Sequence, residues 1–113
     1  MAKIIKIPSV FVYETKVVGV SLNNTDGTSR QSIIASDVAE DDLISLEPEP
    51  DNAYDPNAVK VLSKSGKQIG YLNKELAEKV KPALENETEI HIRVRWVSGE
   101  KIKGVGLRIE LVS

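Results

Sequence analysis

The chain has 113 residues, 41% of them hydrophobic and 28% charged, with a formal net charge of −2; that balance belongs to a globular protein with one core and excludes two domains with separate cores. It contains no cysteine, which excludes disulfide scaffolds, iron–sulfur clusters, cysteine zinc sites and thiol nucleophiles. The total lacks the basic excess usual in a polyanion binder, but it conceals an asymmetry: residues 1–55 carry four Lys/Arg against ten Asp/Glu, whereas residues 56–113 carry eleven against seven. An anion is expected to meet the second half. Apolar stretches fall far short of the roughly 20 residues a bilayer span needs. The start Met1-Ala2-Lys3-Ile4-Ile5-Lys6 has no apolar signal core, so a cytoplasmic protein is expected.

Residues 10–22 are rich in β-branched side chains (Val10, Val12, Thr15, Val17, Val18, Val20) and predict one long strand or two short ones, with Gly19 marking a bulge. Residues 23–28 form a turn cluster, and residues 29–35 fit a short helix capped by Thr28 or Ser29, though a strand fits nearly as well. Two prolines in Glu47-Pro48-Glu49-Pro50-Asp51-Asn52 make a tight central loop. Strands are predicted over residues 43–46, 58–62 and 68–72, the last two joined as a hairpin at Ser65-Gly66. Asn73 is placed to cap a helix whose Leu72, Leu76, Val80 and Leu84 recur every four residues, with a kink or restart at Pro82. Two closing strands alternate cleanly: Ile90, Ile92, Val94 and Trp96 with His91, Arg93 and Arg95, then Val105, Leu107, Ile109 and Leu111 with Gly106, Arg108 and Glu110. Simple pairing about Ser98-Gly99 sets Lys103 on the apolar face, so a bulge near Gly104 is expected. The sum is an α+β fold of six or so short strands and one or two helical segments, with a strongly curved sheet or a small six-stranded β-barrel.

Enzymatic signals are sparse. The single histidine, His91, falls on the polar face of a strand and reads as solvated. Gly-x-Ser-x-Gly, His-Glu-x-x-His and phosphate-loop motifs are missing, Gly104-Val105-Gly106 lacks the strand-to-helix context of a dinucleotide fingerprint, and no cofactor is called for. Glu47, Glu49, Asp51 and Asp55 could in principle hold a hard cation, but the spacing is not that of a calcium loop, so they read as a solvated acidic loop and no metal is assigned. One His and no Cys leave only carboxylates to complete a zinc shell.

The segment Asp51-Asn52-Ala53-Tyr54-Asp55-Pro56-Asn57-Ala58-Val59 is more informative. Asp55-Pro56-Asn57 is a stiff turn into the next strand. Tyr54 does not belong among turn formers; with only five aromatic residues in the chain, its ring either plugs the end of the barrel or is exposed for a partner. Tyr71 follows Gly70 at the end of the hairpin, directly before the helix that carries Lys74, and Lys60 lies in the strand between. Rings beside cations form the usual platform for single-stranded nucleic acid, each stacked base contributing about 1–3 kcal/mol; core packing is the alternative.

These residues resemble the HIRAN domain. The likeness rests on Thr15-Lys16-Val17-Val18-Gly19-Val20, on Arg30-Gln31 with Ile33-Ile34, on Leu46-x-Pro48-Glu49-Pro50-x-Asn52-x-Tyr54-Asp55-Pro56-Asn57-Ala58-Val59-x-Val61, and on Gln68-Ile69-Gly70-Tyr71-Leu72. It is strongest over residues 12–85 of a single domain spanning residues 1–113. In many members this domain is joined to a helicase-like remodelling ATPase or a nuclease; 113 residues leave no room for ATPase motifs, so a domain standing alone is expected. The resemblance implies an oligonucleotide-binding type of barrel and a pocket for the 3′ end of single-stranded DNA, without catalysis. By position, Tyr54 would stack on the terminal base, Asp55 would accept the hydrogen bond of the 3′-hydroxyl, and Asn52 would support the turn or touch the nucleotide. Tyr71 and Lys74 would flank the pocket, with Arg30 substituting for an Arg-Tyr pair that eukaryotic members carry where this chain has Ser21-Leu22, and Lys60 nearby as a further cation. The alternative is an assembly domain that docks on a separately encoded helicase or nuclease through its acidic half.

Overall fold

The computed structural model describes residues 9–112; the reading of Met1 to Lys6 lies outside them. Element order is β1 (Val10–Lys16), α1 (Arg30–Asp37), β2 (Ser45–Pro48), β3 (Val59–Leu62), β4 (Gln68–Tyr71), α2 (Lys74–Glu85), β5 (Glu89–Ser98) and β6 (Gly104–Val112). The strands form two antiparallel three-stranded sheets, ordered β1-β6-β5 and β2-β3-β4. Six strands with two helices agree with the predicted α+β class, but the expected closed barrel is not formed. Among the described residues the sheets are joined at two isolated bridges, Val18 to Tyr71 and Leu43 to Arg93. At the first, the N–H and carbonyl of Val18 exchange 2.9 Å bonds with those of Tyr71. At the second, Ile44 donates to the Ile92 carbonyl at 3.2 Å. Leu43 and Ile44 are therefore spent on β5, and β2 starts two residues later than the apolar run predicts.

Between the sheets lies one apolar core that includes Val17, Ile34, Val59, Val61, Ile69, Val80, Val94, Val105, Leu107 and Ile109. Each fully buried aliphatic side chain here contributes roughly 1.5–3 kcal/mol. Residues 29–37 choose helix over strand because the Ser29 hydroxyl accepts from the Ser32 N–H, satisfying a donor the first turn leaves orphaned. Asn73 does the same for Leu76 at 2.9 Å, and α2 buries Leu76, Ala77 and Val80. The helix runs through Pro82 as one element. Pro82 and Glu78, whose carbonyl loses its bond, are both exposed, so water can satisfy that group and no restart is needed.

Two irregularities fall elsewhere than expected. Gly19 is not a bulge but a left-handed turn residue, φ 74°, whose carbonyl accepts from Leu22 N–H and Arg30 Nη1. The register shift of the closing hairpin falls between Val94 and Trp96, at Arg95, not near Gly104. The extra residue in β5 inverts the alternation, so Trp96 leaves the core side and is 41% exposed. Its indole lies on Gly106, where an added Cβ would sit 2.2 Å from Cε2. Glycine is required at that point by close approach, which a strand interior otherwise disfavours. Among the described residues no helix is long and apolar enough to cross a membrane.

Gly70 lets β4 reach the β1 extension. A Cβ there would stand 2.4 Å from the Val18 carbonyl oxygen and 2.6 Å from Val17 Cγ1. Gly70→Ala is expected to push the sheets apart at this bridge and to cost on the order of 1–3 kcal/mol. Thermal unfolding reads this as a Tm lower by about 4–8 °C for each kcal/mol; an unchanged Tm would show that the bridge carries no strain-sensitive contact.

Candidate functional site

The loop between β2 and β3 holds its own shape. Glu49 N–H donates to the Ala58 carbonyl at 2.8 Å, closing its base, and Ala58 N–H donates to the Asp55 carbonyl. Asn52 Oδ1 accepts from the backbone N–H of Tyr54 at 2.9 Å and of Asp55 at 3.0 Å. Asp55 Oδ1 accepts from Asn57 N–H at 2.8 Å. Asx turns of this kind replace tertiary packing as the reason for order, so no apolar anchor is needed at position 54. The Tyr54 ring is 98% exposed. Of the two readings of that ring, plug or exposed face, the structure places the second.

Beneath the loop, Glu49 points inward rather than into solvent, which corrects its reading as part of a solvated acidic loop. Its Oε1 accepts from Asn52 Nδ2 at 2.6 Å and from the Tyr71 hydroxyl at 2.9 Å, and its Oε2 lies 3.0 Å from Lys60 Nζ. Burial pushes the Glu49 carboxyl up, but the hydrogen bonds from Asn52, Lys60 and Tyr71 and the Lys60 charge together outweigh it and hold the group below the usual glutamate value. Lys60 is held up in return, chiefly by its bond to Glu49 against a smaller burial effect. The far face of the Tyr71 ring meets Arg30, whose guanidinium carbon lies 5.4 Å from the ring centroid. Arg30 is only 6% exposed. It donates from Nε to Asn24 Oδ1 at 2.8 Å and from Nη1 to the Gly19 carbonyl at 2.9 Å. Tyr71 is thus fixed at its hydroxyl, its ring face and its backbone.

A cleft of about 390 Å³ opens over this floor, lined by Val18, Asn52, Tyr54, Asp55, Ala58, Tyr71, Leu72 and Lys74. Five sequence-predicted residues are brought together here: Tyr54, Asp55, Asn52, Tyr71 and Lys74. Arg30 and Lys60 are not on its lining. Arg30 stands behind Tyr71, and Lys60 is paired with Glu49 below it. Residues that sequence reasoning did not assign are Val18, Ala58, Leu72 and, underneath, Glu49. Val18 and Leu72 sit in the matched Val-Val-Gly and Gly-Tyr-Leu segments, a signal that could have included them. Glu49 gave no such signal, because an acidic residue between prolines reads as solvated. His91 is exposed and 2.8 Å from Glu89. Among the described residues no three His, Asp or Glu side chains converge.

The HIRAN domain family model matches residues 10–111. This chain belongs to the HIRAN domain family. It is 42% identical over 50 residues to the helicase-like transcription factor of Oryctolagus cuniculus, a stretch that makes up 44% of this chain and 5% of that relative. The crystal structure of the HIRAN domain of human HLTF superposes with a TM-score of 0.72 at 24% identity, covering 94% of this chain and 79% of that one. An NMR structure of the HLTF HIRAN domain in its DNA-bound conformation gives 0.63 at 25% identity over the same shares. The chain therefore corresponds to a small part of the curated relatives it matches.

Glu49 generates a pH dependence. Its carboxyl is depressed in the folded state, so its stabilising share is present above the ordinary glutamate pKa of about 4.3 and is lost as pH falls through the lower native value. Denaturant unfolding between pH 6 and pH 3 is expected to show a loss of stability that is smaller in Glu49→Gln. At neutral pH the substitution should cost about 1 kcal/mol, since Lys60 loses its partner. Equal pH slopes in both proteins would refute this account of the carboxylate; Asp26 and Asp37, also lowered by their Thr28 and Ser63 bonds, supply the slope that remains.

Proposed function

We propose that this HIRAN domain is a non-catalytic module that binds single-stranded DNA at its free 3′-hydroxyl end. The observation that carries the reading is the fully exposed Tyr54 ring, held by its own loop beside a carboxylate, a clamped second ring and a lysine. A tyrosine left in water on a rigid loop offers a base a flat apolar face at little ordering cost. Tyr71 lines the same cleft from its floor. Asp55 uses Oδ1 inside the turn, while Oδ2 makes no hydrogen bond among the described residues and is free to accept one from a terminal hydroxyl. A charge-assisted bond of that kind is roughly twice as strong as a neutral one, and the same carboxylate repels a terminal phosphate. Lys74, first residue of α2, supplies a cation for the backbone phosphate. The HLTF HIRAN domain in its DNA-bound conformation supports DNA as the ligand class.

Overall acidity predicts weak non-specific attraction, so affinity rests on the cleft. Fluorescence anisotropy with short single strands is expected to rank a free 3′-hydroxyl above a 3′-phosphate and a blocked duplex end. Tyr54→Ala should weaken the first by about 5- to 150-fold, the loss of one stacked base, and Asp55→Asn should erase the hydroxyl preference. A labelled strand incubated with Mg²⁺ should stay intact. Weak, purely salt-driven binding of all three ends would refute the reading and favour docking on a separately encoded helicase or nuclease.

A further inference from the structure

The outer face of the β1-β6-β5 sheet carries an aromatic group that the cleft does not use. The Arg95 bulge turns Trp96 outward. Its five-membered ring contacts Gly106, and its six-membered ring approaches Gly104, where an added Cβ would lie 3.4 Å from Cζ3. Gly104 and Gly106 share one face of β6, so the indole lies along the strand with one face on bare backbone, and the residue is still 41% exposed. A rigid exposed indole backed by glycines is a surface that burial does not explain.

Cations flank it. Lys16 and Trp96 both pair with Gly106 in the register, from opposite sides, and the Lys16 stem passes Gly104 at 3.3 Å from the position of an added Cβ. Lys16 makes no ion pair among the described residues. Arg95 is 3.7 Å from Glu14, which also lies 3.8 Å from Arg108, so one carboxylate is shared between two guanidinium groups. Lys16, Arg95 and Trp96 line a groove of about 340 Å³ with Glu14, Thr15 and Leu107. Lys16 is two residues from Val18, which lines the cleft, a separation of about 7 Å in extended chain, and both are exposed on the same face.

We propose that Trp96, Lys16 and Arg95 form a second base-stacking platform for single-stranded DNA, in line with the Tyr54 cleft and reached by nucleotides 5′ of the captured end. This rests on the DNA-end reading for its direction along the strand, but not for the platform itself. A flat ring beside one unpaired and one shared cation fits a base and its phosphate, and stacking tolerates any base. Trp96 is the single tryptophan of the chain, so its emission reports the platform alone.

The test titrates the full chain with a thymidine dinucleotide and with an oligothymidylate of about ten nucleotides, within the span one such fold covers, both with free 3′-hydroxyls. The longer strand is expected to quench Trp96 and to bind more tightly; the dinucleotide is expected to bind without quenching. Trp96→Ala should weaken the longer strand by about 5- to 150-fold and leave the dinucleotide unchanged, Trp96→Phe should retain most of the affinity, and Lys16→Glu should reduce quenching at equal strand concentration with the tryptophan in place. Emission that stays constant at saturation with the longer strand, or equal affinity of Trp96→Ala and the parent chain for it, overturns the platform, as it would if the patch received a protein instead. Quenching that survives Tyr54→Ala and a 3′-phosphate sustains the platform and rejects only the end-capture reading.

Discussion

The inward carboxylate of Glu49 is the constraint on which the candidate site depends. It ties together three side chains: Lys60 on β3, its register partner Tyr71 on β4, and Asn52 in the loop between β2 and β3. Asn52 passes the constraint on, since its other amide atom binds the backbone of Tyr54 and Asp55. A half-buried carboxylate is costly unless its oxygens are satisfied; here three donors serve two oxygens, and the arrangement therefore has one geometry. The backbone of Tyr54 is held by this chain of bonds rather than by packing of its side chain, which leaves the ring open on a fixed stem.

Arg30 plays the corresponding part from the other side. A guanidinium buried to 6% exposure requires polar partners, and it finds a carbonyl, an amide oxygen and the face of Tyr71. The left-handed turn at Gly19 supplies that carbonyl, and the turn cluster at Asn24 supplies the amide. Gln31, next in sequence, donates to the carbonyls of Val20 and Lys103 and accepts from the Lys103 N–H. The Arg30-Gln31 pair thus ties the start of α1 to both sheets. These side chains do their work as struts behind the cleft, and a reading that places every arginine on phosphate misses this use of the residue.

Sequence reasoning succeeds where one local rule decides and falters where two elements compete. The cap at Asn73 followed by apolar residues every fourth position specifies α2, and strict alternation specifies β5 and β6, because period and capping are properties of the segment alone. Barrel closure is different: it depends on whether Leu43 and Ile44 prefer β5 or β3, and on how far Val18 travels with β4, neither of which is written in any single segment. The closing hairpin has its bulge in β5 rather than near Gly104, since a surplus residue in a hairpin can be absorbed on either strand. What decides is Gly106, whose missing side chain leaves room for Trp96 outside. In the cleft, Tyr54 and Asp55 were legible as misfits among turn formers, while Glu49 was not, because its partners come from positions 52, 60 and 71 and converge only after folding.

The charge asymmetry of the chain acquires a physical meaning from the same contacts. Three of the ten acidic residues of the first half are paired with cations of the second: Glu49 with Lys60, Asp42 with Lys64, and Glu14 with Arg95 and Arg108. Those pairs take four of the eleven Lys and Arg residues of the second half, and with a net charge of −2 a long polyanion gains little by lying on the domain as a whole. Lys74 at the cleft and Lys16 beside Trp96 make no ion pair among the described residues, and each stands next to an exposed ring. On a domain whose net charge is −2, the places where a ring and an unpaired cation coincide discriminate through stacking geometry, because the overall charge balance does not favour a strand without its bases.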